Sequence, residues 1–128
     1  MKEVIAIIRP NTVAKTAKTL EAVGFPALTV MKCFGRGKQR GYIPAGLSDV
    51  IDIEQIMKEG EEKGLFMKYI PKRLLSIVVS DEDVPLVVGI IMKMNRTGKI
   101  GDGRIFVLPV EDAVRIRTGE MGEEAIGN

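Results

Sequence analysis

Leu74-Leu75-Ser76-Ile77-Val78-Val79-Ser80-Asp81-Glu82-Asp83 carries a strand and a helix start in one short run. The first six residues, apolar except Ser76 and rich in β-branching, read as a strand. Ser80 reads as an N-cap, and the three acids after it suit the positive end of a helix dipole. Pro85 falls early enough in that helix to be tolerated. Val84, Val87, Val88 and Ile91 then return at helical spacing, Gly98 lies past the helix end, and a further strand is expected over 104–110. The same grammar stands at the N-terminus. Val4-Ile5-Ala6-Ile7-Ile8 is a strand stopped by Pro10, and Asn11 is the expected cap. A helix is expected over 12–23, with Val13, Ala17, Leu20 and Val23 inward and Lys15, Lys18 and Glu21 outward. Gly24 closes that helix, and a second strand is expected over 27–34. The pattern is βαβ written twice. It predicts an α+β, ferredoxin-like βαββαβ sandwich, with two helices on one face of a mainly antiparallel four-stranded sheet. A short last strand is expected over 114–117.

One stretch exceeds this minimal plan. More than thirty residues connect Gly35 to Lys72, and a loop of that length in a compact domain is usually functional or disordered. Its middle, residues 48–63, has helical spacing at Val50, Ile53, Ile56 and Met57 behind a Ser48/Asp49 cap, while Gly60 and Gly64 weaken it. Residues 49–63 carry six acids against two lysines, so the segment is locally acidic. It reads either as an amphipathic helix docked on its own domain or as a segment that orders on a ligand or partner.

Composition narrows the chemistry. The 128 residues fit one domain with a genuine core. Histidine is absent, which excludes Ser-His-Asp and Cys-His pairs, phosphohistidine chemistry and imidazole metal sites. The single cysteine, Cys33, excludes an intramolecular disulfide and any cysteine-cluster zinc site, and a reducing cytoplasm is the simplest fit. No apolar run is long enough to span a bilayer, and Met1-Lys2-Glu3 leads straight into a strand without a signal-peptide pattern. A net charge of +2 does not suggest a nucleic-acid binder. A cytoplasmic protein with no stable membrane association is therefore expected.

Charge is nevertheless concentrated. Gly35-Arg36-Gly37-Lys38-Gln39-Arg40-Gly41, Arg96-Thr97-Gly98-Lys99-Ile100-Gly101-Asp102-Gly103-Arg104 and Arg115-Ile116-Arg117-Thr118-Gly119-Glu120, together with Lys72 and Arg73, hold ten of the nineteen Lys and Arg residues. Glycines let backbone N–H groups approach an anion, and neighbouring cations add charge-assisted hydrogen bonds to phosphate oxygens. Arg115 and Arg117, alternating on the expected strand, would leave on one face as a clamp. None of the clusters is a Walker A or Rossmann fingerprint.

Several readings compete. Ala6-Ile7-Ile8-Arg9-Pro10-Asn11 looks like the start of a nucleoside diphosphate kinase, which needs the histidine this chain lacks. The βαββαβ order is also that of RNA-recognition modules, and Gly103-Arg104-Ile105-Phe106-Val107 is faintly like their strand motif. Aromatics are only 5% of the chain, so base-stacking partners are scarce. A nucleotide-hydrolysing enzyme on this fold lacks any recommending carboxylate–nucleophile pair. A sensor that binds a nucleotide without turning it over remains.

Ile7-Ile8-Arg9-Pro10, the cluster over 35–41, the run over 97–107 and the run over 115–120 together resemble the nitrogen-regulatory PII (GlnB-like) signal proteins over nearly the whole chain. The resemblance implies a single PII-like domain over 1–128, with an extended T-loop at about 37–70, a phosphate-binding loop at about 96–104 and a C-terminal segment over 115–128. It implies a trimer with ATP or ADP in clefts between subunits. Ile7, Thr29 and Val78 would line the adenine pocket. Gly35, Gly37, Lys38 and Gln39 would approach from the base of the long loop. Thr97, Gly98, Lys99, Gly101, Asp102, Gly103 and Arg104 would form the phosphate loop, completed by Arg115 and Arg117. With Mg-ATP, 2-oxoglutarate would bind at Gly37, Lys38, Gln39, Arg40 and Gly41, its distal carboxylate on Lys72 and Gln39 ligating Mg²⁺. A metal that prefers oxygen ligands needs few from the protein, and a dicarboxylate beside a polyphosphate needs cations to offset repulsion. No enzymatic activity is implied.

Departures from the family pattern lie in a few basic residues and in the loop. Lys38 and Arg40 invert the usual arginine and lysine, Arg36 replaces an apolar or aromatic residue, and Arg104 replaces lysine. Lysine does not reproduce an arginine fork, so the ATP/ADP preference is expected to differ. The long connection is about fourteen residues longer than usual, judged by motif spacing. No modifiable tyrosine or serine stands at its tip, where Asp49, Val50 and Ile51 lie; Tyr42 and Tyr69 flank its ends. The first cluster, with Gly24-Phe25-Pro26-Ala27-Leu28-Thr29 and the extended loop, is most similar to the nitrogen-fixation-operon branch of methanogens and some bacteria, and to the second member of its paralogue pairs. That branch implies dinitrogenase as target, a homotrimer or a mixed oligomer with a paralogue, and relief by 2-oxoglutarate. An ammonium channel or an assimilation enzyme such as glutamine synthetase is the alternative target.

Overall fold

The computed structural model describes residues 1–37 and 51–127. They fall into two compact units, Met1–Phe34 with Pro71–Asn128, and Gly35–Ile70. The elements in chain order are β1 (Lys2–Ile8), α1 (Val13–Ala22), β2 (Thr29–Gly35), α2 (Ile53–Glu62), β3 (Ile70–Val79), α3 (Val84–Asn95), β4 (Arg104–Pro109) and a short α4 (Glu123–Ile126). The sheet order is β2-β3-β1-β4, with β1 central and antiparallel to both β3 and β4. With α1 and α3 on one face, this is the ferredoxin-like α+β sandwich.

Strand alternation makes the core. Val4, Ala6 and Ile8 of β1 and Leu75, Ile77 and Val79 of β3 point to one face, where Leu20 of α1 and Val87 and Ile91 of α3 cover them. Each of these side chains other than Ala6 contributes about 1.5–3 kcal/mol relative to exposure. Register places Ile5 opposite both Ser76 and Phe106, so the other face carries Ile5, Ile7, Leu74, Val78, Phe106 and Leu108. On that face the Ser76 hydroxyl donates to Glu3 at 2.6 Å.

Local details differ from the sequence expectation. Asn11 does not cap α1; it sits inside a 3-10 turn, Pro10–Thr12, because Pro10 pre-sets the first turn two residues early. Thr16 rather than Val23 completes the buried stripe of α1, and its hydroxyl bonds to the Thr12 carbonyl at 2.7 Å. Ser80 likewise precedes a 3-10 turn, Asp81–Asp83, and its hydroxyl donates to Glu123 instead of capping a helix. The expected strand over 114–117 is a single bridge, Val114 to Met121, because no neighbouring strand offers a ladder there.

In the second unit α2 begins at Ile53, where the Asp52 carboxylate accepts the Gln55 N–H at 3.1 Å. The cap expected at Ser48/Asp49 lies outside the described residues. Gly64, at φ +62°, closes the helix while Leu65 N–H reaches back to the Gly60 carbonyl at 2.9 Å. Gly60 is buried under Phe66, and a Cβ there would come within 2.7 Å of the ring. The Arg36 guanidinium stacks over Tyr69, 5.1 Å from the ring centroid.

Candidate functional site

The loop over 96–104 leaves α3 at Asn95, which is buried and polar. Asn95 Nδ2 donates to the Ile91 carbonyl at 2.8 Å and to Thr16 Oγ1 at 3.1 Å, and its Oδ1 accepts from the Thr12 hydroxyl at 2.6 Å. The end of α3 is thereby fixed to α1 before the glycine-rich loop starts.

Asp102 organises the loop from within. One carboxylate oxygen accepts the Thr97 and Gly98 N–H groups at 2.8 and 2.9 Å; the other takes the Thr97 hydroxyl and, at 2.8 Å, Arg9 Nη1. The Thr97 hydroxyl, then the Arg9 guanidinium, then the backbone N–H groups hold this carboxyl well below the usual carboxylate range. Arg9 reaches further, with Nη2 on the Ile100 carbonyl at 3.2 Å. From β3, Lys72 Nζ donates to the Gly101 carbonyl at 2.7 Å.

Gly103 shows why no side chain is tolerated at the base. It sits at φ +102°, and a Cβ would lie 1.8 Å from the Ile7 carbonyl oxygen. The next residue, Arg104, is the register partner of Ile7. One end of the sheet therefore gathers Ile7, Lys72, Thr97, Gly98, Gly101, Asp102, Gly103 and Arg104. Lys99 is exposed on the same loop. With the Thr97 and Gly98 N–H groups taken by Asp102, the cations and the rest of the glycine-rich backbone are what would suit an anion.

Other expected residues lie elsewhere. Val78 shares a sheet face with Ile7, but its register partner is Glu3 while that of Ile7 is Leu74, so the two are about 13 Å apart along the strands. Thr29 opens β2 and is exposed; Gly35 ends it, with Gly37 just beyond. Lys38, Gln39, Arg40 and Gly41 lie outside the described residues. Arg115 does not form a strand clamp with Arg117. It bonds to Glu120 at 3.3 Å and to the Gly127 carbonyl at 2.6 Å, capping the carbonyl end of α4, while Arg117 is exposed in a turn. The α4 region adjoins Ser80 and Met1, at the end of the sheet opposite the loop. In a single chain Arg115 and Gly103 thus belong to opposite ends of a sheet whose central strand is roughly 20 Å long.

Arg9 was not among the expected site residues. Its tie to Asp102 spans 93 positions, which no local pattern reveals; its place in the Ile7-Ile8-Arg9-Pro10 run was the one available signal. A groove of about 390 Å³ between α3 and β4, lined by Ile8, Ile91, Met92, Arg104 and Ile105 among others, opens on the helix side of the sheet. Ile7, Thr29 and Val78 do not line it. Among the described residues, no helix is long and apolar enough to cross a membrane.

Comparison with known proteins agrees with this arrangement. The Nitrogen regulatory protein P-II family matches residues 1–120. The "Nitrogen fixation nifHD region GlnB-like protein 2" of Methanothermococcus thermolithotrophicus is 71% identical over 128 residues, covering 100% of both chains. The protein of the same description from Methanobacterium ivanovii is 53% identical over 126 residues, covering 98% of this chain and 99% of its own. The crystal structure of Arabidopsis thaliana PII bound to citrate superposes with a TM-score of 0.70 at 34% identity, over 97% of this chain and 90% of that one. With its loop, its sheet and its full-length relatives in agreement, the chain belongs to the P-II nitrogen regulatory family, in the nifHD-region branch and as the second member of its pair.

Proposed function

We propose that this protein is a cytoplasmic, non-enzymatic PII sensor that binds ATP or ADP and, with Mg-ATP, 2-oxoglutarate. It regulates dinitrogenase by direct contact through the connection over 37–70. The observation that carries the reading is the bond from Lys72 to the Gly101 carbonyl: it sets the lysine assigned to a carboxylate against the loop assigned to phosphates. Gly101, Gly103 and Arg104 hold the phosphates with Ile7 on the adenine side, and Thr29 and Val78, of which Val78 lies about 13 Å from Ile7 in one chain, reach that side from a neighbouring subunit. Arg115 and Arg117 arrive from a neighbouring subunit of a homotrimer, or of a mixed oligomer with a paralogue, which accounts for their place at the far end of this chain. The Gln39 amide would supply one oxygen ligand to the Mg²⁺ of Mg-ATP, a metal that takes few ligands from the protein.

Isothermal titration tests this directly. ATP binds alone, and 2-oxoglutarate binds only when Mg-ATP is present; absence of 2-oxoglutarate binding under that condition refutes the mechanism. Lys72→Ala weakens 2-oxoglutarate more than ATP, and equal losses would give Lys72 another role. The target is tested by activity of purified dinitrogenase, which falls on addition of the protein and recovers with 2-oxoglutarate. An unaffected dinitrogenase alongside capture of an ammonium channel would reassign the target.

A further inference from the structure

We propose that Arg9 is a positioning residue for polyphosphate at the 96–104 loop, acting through Asp102 and the Ile100 carbonyl; the ligand class rests on the reading above. A carboxylate inside a phosphate-binding loop poses an electrostatic problem, because it repels the ligand and competes for the same N–H donors. The structure answers the repulsion and settles the competition in favour of the carboxylate, which keeps the Thr97 and Gly98 N–H groups for itself. Asp102 is turned inward onto Thr97 and Gly98, and its outer oxygen is matched by Arg9 at 2.8 Å. Both partners are about three-quarters buried, at 28% and 24% side-chain exposure, so solvent screens the pair only partly. The second arm of the same guanidinium fixes the Ile100 carbonyl at 3.2 Å, just before Gly101. Space is tight at that point, since a Cβ on Gly101 would lie 3.3 Å from Arg9 Nη2. Arg9 leaves the end of β1, so the loop takes its shape from the central strand of the sheet. Lysine carries the charge but not the two-armed fork.

The test uses the full chain with Arg9→Ala, Arg9→Gln and Arg9→Lys, each checked for folding by circular dichroism. Titration with AMP, ADP and ATP reads the ligand effect. In Arg9→Ala the loss grows with phosphate number, reaching about tenfold for ATP, and Arg9→Lys recovers part of it. Backbone amide exchange reads the loop without ligand. The Thr97 and Gly98 amides exchange faster in Arg9→Ala and stay protected in Arg9→Lys. Unchanged exchange overturns the inference whatever the nucleotides do, as does an equal loss for AMP and ATP or no loss at all. If the wild type binds no nucleotide while its Thr97 and Gly98 protection still depends on Arg9, the ligand reading fails and the positioning role stands. Should Arg9→Ala not fold, Arg9→Gln supplies the same comparison.

Discussion

Replacing Gly103 with alanine tests the close approach of the loop to the central strand. Two costs are separable. An L-residue held in the left-handed region costs about 1–2 kcal/mol, and Gly103 sits at φ +102°. The new Cβ would also stand 1.8 Å from the Ile7 carbonyl oxygen, where contacts under 3.0 Å essentially never occur. The start of β4 must therefore move by at least about 1 Å away from the central strand. That movement strains or breaks a ladder bond at the Ile7–Arg104 pair, adding about 0.5–1.5 kcal/mol. The expected total is about 2–3 kcal/mol, a fall of about 1–2 M in the urea midpoint for a small protein. Gly98→Ala is the control. Its φ is +83° but nothing lies within 4 Å, so only the conformational cost, about 1 kcal/mol, applies. Urea denaturation of both variants at one protein concentration, followed by circular dichroism, makes the comparison. Equal midpoint shifts would refute the steric argument and show that β4 yields freely at its first residue.

Three further outcomes are expected. The Asp102 carboxyl titrates lower in the folded chain than in the unfolded one, so its stabilisation is complete above about pH 5 and fades as pH falls through the folded value; urea titrations at neutral and acidic pH should show Asp102→Asn losing less stability on acidification than the wild type, and parallel losses would contradict this. Gly60→Ala should be neutral or unfavourable with Phe66 present, since its Cβ meets the ring at 2.7 Å, yet should stabilise α2 by about 0.5–1 kcal/mol in a Phe66→Ala background; amide exchange over 53–62 reads the change of sign. Leu20→Ala should cost about 2–5 kcal/mol by opening a cavity beneath the sheet, measured as a fall in the thermal midpoint.

The order of strands and helices was legible because two periods alternate cleanly. Val4, Ala6 and Ile8 repeat every second residue, whereas Val84, Val87, Val88 and Ile91 follow the helical turn. Where a residue's role depended on a distant partner, that legibility ended. Val114-Arg115-Ile116-Arg117 alternates like a strand, but strand character needs a neighbour to pair with; Ile116 is 99% exposed and Arg115 turns to the carbonyls after α4. Gly60 read as a flaw in a helix because Phe66, which needs the space, lies beyond the helix end. In the site, Gly101, Gly103 and Arg104 announced themselves as a cluster, and Lys72 joined them in space. Arg9 did not, because its partner lies at the other end of the chain.

The segment Gly35–Ile70 departs from β2 and returns into β3, and these two strands are neighbours in the sheet. Its two ends are therefore held close together by the sheet whatever lies between them. For a flexible connection closed in this way, the entropy penalty rises only with the logarithm of length, about 0.6 kcal/mol per doubling. The entropic cost of lengthening or trimming the connection by a capped helix is no more than that of deleting a single core methyl group, about 0.5–1.5 kcal/mol. The sheet can therefore keep its shape while the segment between β2 and β3 varies in length at little entropic cost, which leaves room for different recognition surfaces on one scaffold.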